Sequence, residues 1–376
     1  MDNLLSSQEA LLDDIKIKQA RIRNFLKENN YTGVVITSRE QFAWVTSGGD
    51  NHVVRNSNLG FGSLVFTHDQ QYLVAHTMDA ARLLNEQVPN QGFELIAMQW
   101  SDGDIRSKAA ELVGGTVVTD TDFDGMINVY TQLTDLHYPM TQLEVERLRW
   151  LGTTTDRLFS DFAQSVKPGE TEHEIATKFH CAHLNANLAV DVLIVGSDEH
   201  CFLYRHPLPT HKPLEKYLML HSSARRWGLH CNLTRFVHFG KPTEEIRKVY
   251  NAASNIAAKV ILSLAPGVKF SEILAWQKQW YAEENYSNEW KNHFQGGPTG
   301  YVIVDAGRCF TNKVVQVNQP YEWFITVTGT KVGELVLLST SGREILSYQD
   351  SSWPQLNINL DNFGGLSLPD ILIRQL

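Results

Sequence analysis

The segment from Tyr217 to Gly240 constrains the fold more than any other part of the chain. A strand-like run, Tyr217 to His221, leads into a Trp227-Gly228 turn and on to a second strand, Leu229 to Gly240. Apolar runs flanking a tight turn of this kind read as a β-hairpin. Alternation along the second strand sends Cys231 and Asn232 to opposite faces. His221 and Asn232, eleven residues apart across the turn, fall on adjacent strands.

The segments before the hairpin alternate helix-like and strand-like patterns. Leu11, Ile15, Ile22 and Leu26 follow helical spacing between Ser7 and Asn29. Tyr31–Thr37, Leu64–Phe66, Tyr72–Ala75, Glu94–Met98 and Thr116–Thr119 read as strands separated by Gly, Asp and Asn turns. This predicts an α/β domain over residues 1–139. From Tyr138-Pro139 the rhythm changes, opening a second domain over 140–376 of α+β character. Thr141-x-x-Glu144 and Thr171-x-x-Glu174 are capping boxes. The first opens a helix with Leu148, Leu151, Leu158 and Phe162 on one face, which Lys167-Pro-Gly169 ends; the second carries Ile175, Phe179 and His183 in register. After the hairpin, Thr243 caps a helix bearing Val249, Ala253, Ile256 and Val260, and Ala265-Pro-Gly267 terminates it. Ser271 is expected to open a fourth, running to about Glu284, where Trp276 and Trp280 read as packing residues.

Composition excludes several functions. With 376 residues, 43% hydrophobic and 20% charged, the chain can build two cores, and a net charge of −9 offers nothing to nucleic acid. Its opening Met1-Asp-Asn-Leu-Leu-Ser-Ser-Gln-Glu9 lacks a basic region followed by an apolar run and no apolar run is long enough for a membrane span, so a cytoplasmic location is expected. Cys181, Cys201, Cys231 and Cys309 have no metal or redox spacing and read as structural thiols.

The run His221-Ser-Ser-Ala-Arg-Arg-Trp-Gly-Leu-His-Cys-Asn232-Leu-Thr-Arg235 resembles the metal-binding hairpin of the creatinase, aminopeptidase P and prolidase family. Arg205-His206-Pro207 precedes it as that family's pocket histidine does. Gln295-Gly-Gly-Pro-Thr-Gly300-Tyr301 sits where the family's glycine-rich turn falls, and Trp323-Phe-Ile-Thr-Val-Thr-Gly-Thr-Lys331-Val-Gly-Glu334 matches the region that supplies two glutamates. The resemblance implies a creatinase-like amino-terminal domain, a carboxy-terminal pita-bread domain, whose helix-helix-strand rhythm the second half shows, and a homodimer. At the ligand positions it implies His221, Asn232, Gly297, Phe324 or Thr326, and Gly333. A pair of divalent ions needs converging carboxylate or imidazole donors, so no metal and no other cofactor is expected. The competing possibility is a single ion held by His221 with His206, His293 or Glu334.

Within that frame His206, His221 and Asn232 are the expected catalytic residues, with His206 as the general acid and base. Arg205, Gln295, Gly296, Gly297, Thr299, Tyr301 and Lys331 are expected to bind substrate. The paired glycines would form a turn whose amides meet a carboxylate or an oxyanion. Arg205, Arg225, Arg226, Arg308 and Lys331 gather in these segments and suit a small carboxylate-bearing substrate. Arg235 reads as structural, and Asn51 and Arg55 are the amino-terminal pocket candidates. The expected activity is metal-independent hydrolysis of a C–N bond in an amino-acid-like or guanidino-like molecule. A metal-dependent Xaa-Pro peptidase and a non-catalytic binding protein are the alternatives.

Overall fold

The structure is a computed structural model that describes residues 5, 7–348 and 352–375. Of the opening stretch read for a leader, residues 1–4 and 6 lie outside the described residues. Two compact units divide the chain: Met1–Glu146 with Trp227–Leu229, and Arg147–Arg226 with His230–Leu376.

In the first unit, helix α1 (Gln8–Glu28) starts where the Ser7 hydroxyl accepts from Ala10 N–H at 3.2 Å, filling one of the orphan donors of the first turn. Strands β1 (Gly33–Ser38), β2 (Leu59–Thr67), β3 (Gln71–His76), β4 (Glu94–Met98), β5 (Val117–Thr119) and β6 (Ile127–Asn128) form one sheet, ordered β4-β3-β2-β1-β5-β6. The β1/β2 and β2/β3 pairs are antiparallel and the rest parallel. Val35, Val65 and Val74 point to one face, where helix α3 (Ile105–Val113) buries Ile105 and Ala109. Helix α2 (Arg39–Val45) was invisible to periodicity because Gln41 to Val45 are all buried, leaving no polar face to mark it. Asn51 is fully buried and its amide bridges Thr37 O (3.1 Å) and Gly62 O (2.9 Å), a bond set that ties β1 to β2, while Arg55 is exposed.

The second half opens with helix α4 (Gln142–Ser165) behind the predicted box: Thr141 N–H donates to Glu144 Oε2 at 2.7 Å and Glu144 N–H returns to Thr141 Oγ1 at 3.3 Å. Helix α5 (Glu172–Asn185) has the second box, on Thr171 and Glu174. Strands β7 (Ala189–Ser197), β8 (Tyr217–Arg226) and β9 (Leu229–Phe239) follow, and β8 and β9 are joined through Trp227 and Gly228 at φ +54° and +79°. Two positive φ angles in a two-residue loop match the twist of the strands they join. Helix α6 (Glu244–Ser263) is capped by Thr243 Oγ1, as expected.

Helix α7 spans Phe270–Glu283 and so starts before Ser271. The reason lies in Glu272, whose carboxylate accepts from Lys269 N–H at 3.2 Å and moves the cap forward, while the Ser271 hydroxyl goes to Asn312 Oδ1 at 3.1 Å. Strands β10 (Gly296–Pro298), β11 (Gln319–Trp323), β12 (Ile325–Val327), β13 (Thr330–Val332), β14 (Leu335–Ser339), β15 (Gly342–Ile345), β16 (Gln355–Leu360), β17 (Gly364–Pro369) and β18 (Leu372–Arg374) complete the chain. They build a β10-β11-β14-β15 sheet, the β12-β13 and β16-β17 ribbons, and the β18-β9-β8-β7 sheet. One core forms where α6 and α7 meet β11–β14, with Ile256, Val260, Trp280 and Trp323 buried. Another joins α4 and α5 to β8 and β9 through Phe159, Phe179, Leu220 and Leu233.

Candidate active site

Two segments converge in the second unit: the β8–β9 hairpin and the run from β10 to β14. His221 on β8 is buried, and its Nδ1 lies 2.9 Å from Thr234 Oγ1 on β9. Its ring stands 6.2 Å from that of Phe324, between β11 and β12. Gly333 is beside both, since a Cβ there would sit 3.4 Å from Phe324 Cδ1 and 3.5 Å from Thr234 Oγ1. Asn232, 1% exposed, is held elsewhere: its N–H donates to Glu322 Oε1 at 2.6 Å and its Nδ2 to Ile303 O at 3.1 Å. Thr299 Oγ1 donates to the same carbonyl at 2.7 Å. The amide expected to meet substrate therefore braces the loop after β10, and Thr299 and Tyr301 are buried with it.

His206 lies on an exposed stretch of its loop, yet its Nε2 is 2.9 Å from Nε2 of His293. His293 was named in the sequence only as an ion ligand; its position two residues before Gln295, just ahead of the matched turn, was the signal. Its Nδ1 donates to Phe294 O at 2.5 Å. That bond fixes the neutral tautomer, leaving His293 Nε2 as an acceptor for His206 Nε2–H. His206 Nδ1 is then the free lone pair. Phe294, 48% exposed, stands edge-on to Phe324 at 5.6 Å.

Lys331 on β13 is 4% exposed, with Nζ 4.7 Å from the Phe324 ring centroid. Among the described residues it has no hydrogen bond and no ion pair. Burial pulls its pKa down to about 7, only partly offset by Glu322. Its charge reaches the three imidazoles in turn. Burial and then Lys331 hold His293 down to about 3, His221 well below the usual imidazole value, and His206 below 6.5. Burial drives the Glu322 carboxyl well upward, and its Oε2 is without a hydrogen-bond partner among the described residues.

The other predicted cations are engaged. Arg205 pairs with Glu289 and donates to Thr328 Oγ1 at 2.9 Å; Arg225 meets Asp191 at 2.8 Å and Arg308 meets Asp305 at 2.7 Å. Arg226 donates to Asn187 O at 3.0 Å and lies over Trp150. The expected cationic cluster thus reduces to Lys331. Gly296 and Gly297 also depart from expectation, forming edge strand β10 opposite Trp323 and Glu322 instead of an open turn. The strands approach so closely that a Cβ on Gly296, at φ +113°, would lie 2.2 Å from Glu322 O. Gln295 is buried and donates to His293 O at 2.9 Å and Trp290 O at 3.0 Å, steadying the loop that carries His293. Cys231 is fully buried with its thiol pushed well up, as a structural cysteine should be.

Residues 146–321 match the model of metallopeptidase family M24. An uncharacterized peptidase of Staphylococcus aureus is 18% identical over 222 residues, a match spanning 55% of this chain and 62% of that protein, so less than two thirds of that relative is covered. Among solved structures, the Xaa-Pro dipeptidase from Bacillus anthracis superposes with a TM-score of 0.76 at 16% identity, covering 96% of this chain and all (100%) of that one. The prolidase from Pyrococcus horikoshii gives 0.74 at 17% identity, covering 89% of this chain and 98% of that one. At such identities the structural likeness is one of fold. The second unit is a pita-bread domain. The M24 match covers just under half of the chain, and the solved structures share its fold.

Proposed function

We propose that this chain is a prolidase-related hydrolase that cleaves a C–N bond of a small, carboxylate-bearing amino-acid-like or guanidino-like compound without a divalent metal pair. The observation that carries the reading is the chain Phe294 O, His293, His206 beside the uncompensated Lys331 cation. His206 Nδ1 takes a proton from water as the oxygen attacks the substrate carbon. The charge that develops falls in the field of Lys331. His206, now protonated on both nitrogens, returns the proton to the departing nitrogen.

The donor set does not fit two divalent ions. The matched positions hold an imidazole, an amide already bonded to Ile303 O, two glycines and Phe324 or Thr326, none of them a carboxylate, with an ammonium close by. Among the described residues no group of three or more His, Cys, Asp or Glu side chains is placed to hold an ion. Peptidase-type hydrolysis is the coarser reading that the M24 match supports, and a cytoplasmic homodimer accompanies it by family analogy; among the described residues no helix is long and apolar enough to cross a membrane.

The test is a panel of N-acyl amino acids, guanidino acids and Xaa-Pro dipeptides, assayed with and without added Mn²⁺ or Zn²⁺. Turnover without metal that falls about 10²–10⁴-fold in His206→Ala supports the reading. Turnover only with metal points to an M24-type metallopeptidase, and none at all to a binding protein.

A further inference from the structure

The segment that carries His206 is exposed, and yet the ring is held. Between β7 and β8 the chain passes through one turn of helix, Glu199–Leu203, and an extended run to Tyr217. Leu203, Tyr204, His206 and Leu208 at its tip are exposed, while His206 Nε2 stays 2.9 Å from His293 Nε2. Exposed tips of this kind are ordinarily the mobile parts of a fold. The fastening lies beneath, at Glu172 in the first turn of α5, which is fully buried. Its Oε1 accepts from Ser197 N–H at 2.7 Å, the Ser197 hydroxyl at 3.0 Å and His200 Nδ1–H at 2.9 Å. Its Oε2 accepts from Thr210 N–H at 3.1 Å and the Thr210 hydroxyl at 2.8 Å. One carboxylate therefore joins the two ends of the segment. The helix has no need of it, since Thr171 and Glu174 already form the cap, and among the described residues no Lys or Arg pairs with it. Pro207 completes the seat: it packs on Gly196 of β7, where a Cβ would come within 2.4 Å of Pro207 Cγ.

We infer that Glu172 is a positioning residue, whose carboxylate closes the segment from Ser197 to Thr210 into a clasp of fixed width and so holds His206 against His293. Being fully buried, it acts through the loop and not on substrate. Oε1 fixes the start of the clasp and Oε2 its end, and Pro207 on its Gly196 seat sets the direction of the tip. Asp198 closes the neck independently, accepting from Lys216 N–H at 2.9 Å and Tyr217 N–H at 2.8 Å. Loss of the Glu172 tie therefore frees the tip and leaves β8 in place. The consequence for catalysis rests on the proton-transfer role proposed for His206, whereas the placement of its ring is measurable without turnover.

The experiment uses the full chain with nitrogen-labelled histidine, in which long-range proton–nitrogen spectra report the tautomer of each ring; His206→Ala and His293→Ala assign the two signals. Wild type should show His206 in its Nε2–H form and His293 in its Nδ1–H form. Glu172→Gln keeps the shape but sets an NH₂ donor against one of the two arms, each of which brings a backbone N–H. It should shift His206 to the averaged values of a free imidazole. Trypsin should cut after Arg205 severalfold faster than in wild type, at a temperature where circular dichroism shows both folded. Thr210→Val, which withdraws one hydroxyl from Oε2 alone, should move both readouts the same way by less, and it decides the matter if Glu172→Gln does not fold. Where the substrate panel gives turnover, Glu172→Gln should lower kcat about 10²-fold and leave KM nearly unchanged, the cost of misplacing a reacting group by roughly 1 Å. An averaged His206 already in wild type, unchanged signals and cleavage in a folded variant, or cleavage that rises equally across the chain would each overturn the inference. An inert panel with a displaced His206 would sink the hydrolase and leave the clasp standing.

Discussion

Lys331 and His206 titrate in opposite senses, and this fixes the pH behaviour of the site. His206 must be unprotonated to act as a base, and burial and Lys331 hold its pKa below 6.5. Hydrolysis should therefore switch on as pH rises through that limb and decline as Lys331 loses its proton through about 7. A bell-shaped kcat/KM profile with a slightly acidic optimum is expected, and Lys331→Arg should remove its alkaline limb. The same residue sets a stability trade. Below about 7 both folded and unfolded chains carry the Lys331 proton, and the folded chain bears the cost of burying it. Between about 7 and 10.5 the folded state has released that proton while the unfolded state still holds it, so wild-type stability rises with pH across that window. Replacing an unpaired buried charge by an apolar side chain of similar length should stabilise the protein, by roughly 1–4 kcal/mol. Lys331→Met is thus expected to melt higher than wild type at pH 6, by a margin that shrinks towards pH 10, while losing activity. A lower melting temperature at pH 6 would mean that Lys331 is paired in solution. Stability gained as activity is lost marks a residue kept for function.

At the scale of elements, Arg235 shows how the hairpin is locked to its surroundings. Its guanidinium, 1% exposed, reaches Asp156 Oδ1 on α4 at 3.0 Å, Glu334 Oε1 at 2.5 Å and Ser347 O at 2.6 Å. Two carboxylates share one cation, and burial outweighs the ion pair at Glu334, whose pKa rises to about 7. Removing the arginine takes the cation from two buried acids, so Arg235→Met should cost about 3–5 kcal/mol in urea denaturation and damage folding before catalysis. Gly296→Ala should also destabilise, by roughly 1–3 kcal/mol from backbone strain alone, since its φ is +113° and its Cβ would meet Glu322 O. The caps on Thr141, Thr171 and Thr243 and the Trp227-Gly228 turn were legible because their chemistry is local: a hydroxyl three residues before its amide, or a glycine at positive φ. Gly296-Gly297 was misread because two glycines serve a turn and a close strand contact equally well, and only the partner strand distinguishes them. Glu322 was passed over for a related reason. Between Tyr321 and Trp323 it looks like the polar face of a strand, and nothing local reveals that Asn232, 90 positions away, bonds to it.

For the whole molecule, the fold was legible and the chemistry of the site only partly so. Spacing located the hairpin and the segment around Lys331, since a scaffold conserves the distance between its turns. It could not show that Arg205, Arg225 and Arg308 each turn to a local acid, because ion pairs are settled by packing. Spacing alone left the role of His293 open, because its tautomer depends on one carbonyl contact. The remaining question is energetic, since metal binding to a folded site adds RT ln(1 + [L]/Kd) to its stability. A bound divalent ion at a thousand times its Kd contributes ~4 kcal/mol, which for a domain of this size raises Tm by roughly 8–16 °C. Among the described residues, an ammonium near the imidazoles and the lack of three converging His, Cys, Asp or Glu side chains give a divalent ion no site from which to make that gain. Melting curves with EDTA, and with millimolar Mn²⁺ or Zn²⁺, should therefore superpose, and turnover should be the same in each. An upward shift of several degrees with one metal, reversed by EDTA and matched by new Xaa-Pro dipeptidase activity, would show that donors from elsewhere in the chain complete a site, and the metal-free mechanism would have to be abandoned.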